Sequence, residues 1–203
     1  IVGNHPQIYG TRRSLKWNKI LWLVEFLRTF ETVVWLDYDA FVMKPDCSWV
    51  DRPHDFSIAR DVSQPSVYNS GVLVVKSSSV RFLQEVWRHN DFGKGQSDQR
   101  SINHLLPSRD FGVLGREFND FPPPPKRCQG YFPPPHVAFN RASTVIQHRA
   151  GQFTGARTSD GKIVKCAHRQ IDFDTEARQI VRYGKRASSR RNSKSVAVLT
   201  VIS

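Results

Sequence analysis

TVVWLDYDA, residues 32–40, is a short apolar run of β-branched and aromatic residues that ends on two aspartates. Thr32–Leu36 is apolar on both of the faces a strand would present, which predicts a strand buried on both sides, as in a parallel sheet. Residues two apart in extended backbone project the same way, so the carboxylates of Asp37 and Asp39 converge on one point. The end of a strand in an α/β sheet is where ligands bind, and two carboxylates there suit a hard divalent ion such as Mg²⁺ or Mn²⁺. The spacing alone says little. With 13 Asp in 203 residues, chance yields roughly one such pair, and the chain has a second, Asp172-Phe173-Asp174. Only the first follows an apolar strand, and its plain alternative is a pair of solvated turn residues.

Working outward, Ser14–Phe30 places Ile20, Leu23, Val24 and Leu27 at the spacing of an amphipathic helix leading into the strand. Asn69–Lys76 (NSGVLVVK) reads as a second buried strand. Ser77–Ser79 offer N-caps to a helix through His89, with Val80, Leu83 and Trp87 on one face. Ser97 caps a further helix, Asp98–Leu106, stopped by Pro107. The order is helix, strand, loop, strand, helix, helix, strand, without an internal repeat, and the fold class is α/β. Two proline runs, Pro122–Pro125 and Pro133–Pro135, bracket an extended loop.

Length and composition agree with one compact domain. The chain has 203 residues, 39% of them hydrophobic, with 13 Phe and 5 Trp, enough aromatic surface to exclude a disordered chain. No window approaches the length of apolar sequence that a membrane span needs. Three cysteines, none in a CxxC pair, give neither a zinc site nor a disulfide framework. The chain opens on Ile1 and reads as a fragment or a processed piece. Net charge is +12, and five of the basic residues lie in Lys185–Ser203, which holds no acid. Residues 1–184 are expected to form the domain and 185–203 a flexible Ser/Arg-rich tail, its apolar end (Val196–Ile202) outside the core. The charge permits nucleic acid, anionic glycan or membrane partners and selects none; no nucleic-acid motif accompanies it.

Later blocks give the acidic pair its context. WNKILWLVEFLRTFETVVWLDYDAFVM (Trp17–Met43) resembles nucleotide-sugar glycosyltransferases of the GT-A fold. Asn69–Ser78, Arg81–Trp87, Ser97–Leu106, REFNDFPP (Arg116–Pro123) and VIQHRAGQFTG (Val145–Gly155) follow in that group's order. Together they look most like glycosyltransferase family 34, the galactosyl-, mannosyl- and xylosyltransferase group, with the glycogenin-like family 8 a near relative. The resemblance spans roughly Asn4–Gly155. It implies a metal-dependent, retaining transfer of a hexose or pentose from a nucleotide-sugar donor to a glycan acceptor. Mn²⁺ or Mg²⁺ on Asp37, Asp39 and His148 would balance the charge that grows on the departing diphosphate.

By the same resemblance Asn69, Ser70 and Gly71 lie by the transferred sugar, and Arg149 and Gly151 belong to donor binding. Asp98 would meet sugar hydroxyls, with Gln99 near the anomeric carbon. Lys16 and Lys19 precede the metal strand, within reach of a diphosphate in one reading, and are expected rather on a solvated helix face. The resemblance also implies a mixed Rossmann-like sheet whose first strand cradles the nucleobase, and the chain starts at or just after that strand. It further implies a Golgi-lumen location in a membrane-anchored type II parent. Two alternatives stay open: a basic glycan- or nucleic-acid-binding domain without catalysis, and a haloacid-dehalogenase-like phosphatase. The latter would want a small Thr or Val where Phe41 stands.

Overall fold

The structure is a computed structural model that describes residues 17–44, 47–61, 64, 66–89, 97–121 and 142–148, and short strands at 156–157, 163–164 and 196–200. Arg149, Gly151, Lys16, the Asp172/Asp174 pair, both proline runs, Cys128, Cys166 and the tail's Ser/Arg-rich stretch lie outside the described residues.

A five-stranded mixed sheet forms the centre, in the order β5-β3-β4-β1-β9. Its strands are β1 (Thr32–Leu36), β3 (Phe56–Arg60), β4 (Tyr68–Lys76), β5 (Gly112–Leu114) and β9 (Val196–Thr200). β4 runs antiparallel to both β1 and β3, while β1–β9 and β3–β5 are parallel. Two further strands, β2 (Ala40–Val42) and β6 (Ile146–His148), pair antiparallel beside it, and β7 (Ala156–Arg157) pairs with β8 (Ile163–Val164).

Every residue of β1 is buried, as the apolar run predicts. Alternation divides its side chains between two cores. Val33 and Trp35, with Ile58, Leu73 and Val75, face α1 (Asn18–Phe26), α2 (Val80–Arg88) and α3 (Asp98–Leu105). Val34 and Leu36, with Val72 and Val74, pack on the other side against Trp49, Leu114, Phe118 and Ile146. Both faces of the central strands are therefore covered, and the C-terminal end of β1 opens between the layers.

Three elements differ from the sequence reading. The helix read over Ser14–Phe30 is α-helical only over Asn18–Phe26 among the described residues. Ser77–Ser79 form a 3-10 turn ahead of α2, with no side-chain cap on that helix. The apolar end of the tail, expected outside the core, forms β9 in register beside β1 (Thr32↔Val196 through Leu36↔Thr200). An open β1 edge would present unpaired backbone groups, and a five-residue β-rich segment satisfies them. No helix among the described residues is long and apolar enough to cross a membrane.

The two-core arrangement separates substitutions sharply. Leu73, fully buried against the helices, should cost about 2–5 kcal/mol as Leu73→Ala. Val198, 42% exposed on the edge strand, should cost under about 0.5 kcal/mol as Val198→Ala. Urea denaturation midpoints check both, and equal losses would contradict the burial assigned to β9.

Candidate active site

Four elements meet at the C-terminal end of β1. The chain leaves the strand through a tight turn in which the Asp37 carbonyl accepts from Ala40 N–H at 2.8 Å, while Asp37 N–H donates to the Gly71 carbonyl at 2.8 Å. That turn carries Asp37 and Asp39 out of the sheet and leads into β2. Because Ala40 pairs with His148 across the β2–β6 ladder, the imidazole comes back over the turn. His148 Nε2 lies 3.1 Å from Asp39 Oδ1 across a sequence separation of 109 residues. Asp37, Asp39 and His148 each offer one ligand atom, all within 4.8 Å of one another. The structure thus brings together the three residues that the sequence reading named as metal ligands.

The opposite wall comes from a register break in β4. Ile58 pairs with Leu73, but the next β3 residue, Ala59, pairs with Asn69, so Ser70, Gly71 and Val72 bulge out of the β3 ladder. Asn69 Oδ1 accepts from Gly71 N–H at 2.8 Å and its amide nitrogen reaches Asp61, which fixes the bulge. Gly71 is required by close approach. A Cβ there would collide with the His148 ring.

α3 starts at this bulge. Ser97 caps it by accepting from Arg100 N–H. Gln99 Oε1 accepts from Ser70 N–H at 3.1 Å, and Ser70 Oγ donates to Asp98 Oδ2 at 2.8 Å. Asp98 is only 2% exposed, so its carboxylate acts chiefly inside the protein, whereas Gln99 is partly exposed. Of the pair assigned to the sugar face, Gln99 is the one that solvent reaches.

Lys19 ties these parts together. It is 5% exposed, not on the solvated helix face expected for it. Its ammonium lies 2.9 Å from Asp37 Oδ1 and 3.1 Å from Asp98 Oδ2, and donates to the Ser70 carbonyl at 2.8 Å. The signal was present in the helical spacing, since Lys19 stands four residues before the buried Leu23 and so shares its face. Burial by itself would neutralise this amine, but Asp37 and Asp98 outweigh it and hold the pKa above the ordinary 10.5. Burial likewise pushes the Asp37 carboxyl up, yet Lys19, then His148, with hydrogen bonds from Trp35 and Lys19, keep it below the ordinary 3.8. Asp37 therefore stands as a carboxylate at neutral pH.

The donor set suits a divalent cation. Among the described residues Asp37, Asp39 and His148 offer two carboxylates and one imidazole nitrogen, and hard oxygen ligands with one imidazole match Mg²⁺ or Mn²⁺ chemistry.

A two-faced core, a mixed sheet with one reversed strand and an acidic turn after β1 make up a GT-A-like glycosyltransferase fold. Solved structures agree. A glycosyltransferase involved in the glycosylation of the major capsid of PBCV-1 superposes with a TM-score of 0.52 at 16% identity, over 72% of this chain and 75% of that one. GlyE of Streptococcus pneumoniae TIGR4 superposes at 0.51 with 18% identity, and its apo form at 0.53 with 17%. This chain spans 40% of the GlyE length. No family model matches the chain, and no curated protein sequence matches it.

Lys19 gives a pH-dependent expectation. A pKa raised in the fold contributes stability that is complete below the ordinary value and lost as pH rises through the folded one. The lowered Asp37 carboxyl contributes stability present above the ordinary 3.8 and lost as pH falls through its folded value. Removing one partner of a buried ion pair costs about 3–5 kcal/mol, and Lys19→Met should fall in that range near neutral pH. Its urea-unfolding profile should also decline less steeply than wild type above about pH 10.5. Superimposable profiles would contradict the buried ammonium.

Proposed function

We propose that the chain is the core of a metal-dependent, retaining glycosyltransferase that moves a hexose or pentose from a nucleotide-sugar donor to a glycan acceptor. The observation that carries this reading is the convergence of Asp37, Asp39 and His148 within 4.8 Å at the end of β1. A bound Mn²⁺ or Mg²⁺ would offset the negative charge that develops on the leaving diphosphate.

The protein's own groups then have separable tasks. Lys19 keeps Asp37 ionised and aimed at the end of β1. Asn69 and the adjoining bulge residues Ser70 and Gly71 form the wall where the sugar would lie, beside the partly exposed Gln99. Asp98 is enclosed by Lys19 and Ser70. That placement suits a front-face displacement, in which the leaving phosphate takes the proton of the incoming hydroxyl and no enzyme carboxylate attacks the sugar. Membership of the family 34 or family 8 group, and a Golgi-lumen location in an anchored parent chain, go with this reading through the sequence resemblance alone.

Two measurements test it. Asp39→Asn preserves shape but removes an anionic ligand, so Mn²⁺-dependent binding of a nucleoside diphosphate should weaken by at least about tenfold. Calorimetric titration of UDP and GDP, with and without Mn²⁺, reads this directly, and unchanged affinity would refute the metal assignment. Gln99→Ala should lower sugar transfer about tenfold, ~1.4 kcal/mol of barrier, with much less effect on nucleoside-diphosphate affinity. Wild-type turnover in that variant would remove Gln99 from the sugar face.

A further inference from the structure

Asn119 lies in the block REFNDFPP and attracts no attention there, yet it is fully buried at the back of the cluster. Its amide nitrogen donates to the Arg60 carbonyl at 2.7 Å. A carbonyl can only accept, so the group facing Arg60 is the NH₂, and Oδ1 must face the other way. On that side lies His148 Nδ1, at 2.7 Å. Oδ1 is itself only an acceptor, so Nδ1 must carry a proton. In the neutral ring this leaves the lone pair on Nε2, the nitrogen that faces Asp39.

We infer that Asn119 is a positioning residue that selects the Nδ1–H tautomer of His148 and so presents a bare Nε2 to the cation. A lone pair 3.1 Å from a carboxylate oxygen is an unfavourable contact unless a positive charge lies between them. Either a second proton on the ring or a bound cation supplies that charge, and with the Nδ1 proton held by Asn119 the neutral ring turns its Nε2 lone pair to the space between His148 and Asp39. Packing supports the same orientation: Phe121 meets the imidazole edge-to-face at 5.3 Å, and Gly71 leaves room for its Cε1 edge. The backbone of the neighbouring residues holds the ring in register, His148 N–H donating to the Asp120 carbonyl at 2.9 Å. Outer partners of ligating histidines commonly work in this way, and losing one costs about 10–100-fold in metal affinity.

The inference rests on the metal reading above, and its test separates the two. In ¹⁵N-labelled protein without metal, at a pH where the ring nitrogen shifts themselves show His148 to be neutral, two-bond ¹⁵N–¹H spectra should show its proton on Nδ1. Asn119→Leu should lose that selection and weaken Mn²⁺ binding, read by calorimetry, about 10–100-fold. Asn119→Asp keeps an acceptor toward Nδ1 and gives up the donation to Arg60, so it should retain both the Nδ1 proton and Mn²⁺ affinity within about threefold. If the aspartate variant folds and loses as much as the leucine variant, the role of Asn119 runs through Arg60, is structural, and the inference fails. A wild-type His148 protonated on Nε2 alone also overturns it. A wild-type protein with the Nδ1 proton that binds no Mn²⁺ would confirm the tautomer selection and overturn the metal reading instead.

Discussion

The buried ammonium of Lys19 is the interaction on which the site depends. Taking one charge out of water costs several kcal/mol unless partners replace the lost hydration. Here the partners come from three different elements: Asp37 after β1, Ser70 in the β4 bulge and Asp98 at the start of α3. A single side chain on α1 therefore sets where each of these meets the others. It also sets the charge of the cleft. Among the described residues Lys19 faces the carboxylates of Asp37 and Asp98, and Asp98 is absorbed into the structure while Asp37 and Asp39 stand with His148 at the end of β1.

The other wall is built without charge. The β2–β6 ladder brings His148 over Asp39, Asn119 fixes which ring nitrogen faces inward, and Gly71 makes the space. Each of these depends on the sheet beneath. β1 must be covered on both faces for its end to lie between two packed layers, and the break in the β3–β4 register must fall where the bulge can reach both Lys19 and the imidazole. The geometry is held by buried groups that satisfy one another, which is the condition for ligands to be pre-arranged and not gathered when a cation arrives.

Segments with strong local patterns were legible. Thr32–Leu36 and Asn69–Lys76 read as buried strands because their apolar runs leave no solvent face, and Ser97 read as a cap because its hydroxyl is the acceptor a helix start needs. β3 is hard to read because FSIAR is only five residues long and mixed in polarity. β9 reads as tail in the sequence because five residues beyond a basic stretch carry no sign of which edge they will join. Residue type alone puts Lys19 in solvent, although its spacing from Leu23 places it on the buried face. Asn119 has no local signal at all; its meaning lies in two contacts, with Arg60 and His148, at sequence separations of 59 and 29 residues.

By itself, then, the amino-acid sequence determined the α/β class, the strand that ends in Asp37-Tyr38-Asp39, and the residue types able to hold a cation, because hydrophobic periodicity and carboxylate spacing act over a few residues. Only the tertiary structure decided that His148 closes on Asp39, that Asp98 turns inward to Lys19, and that β4 runs against its neighbours. Those outcomes depend on which distant segments can satisfy the same buried charges and backbone groups at once, and no local pattern encodes that.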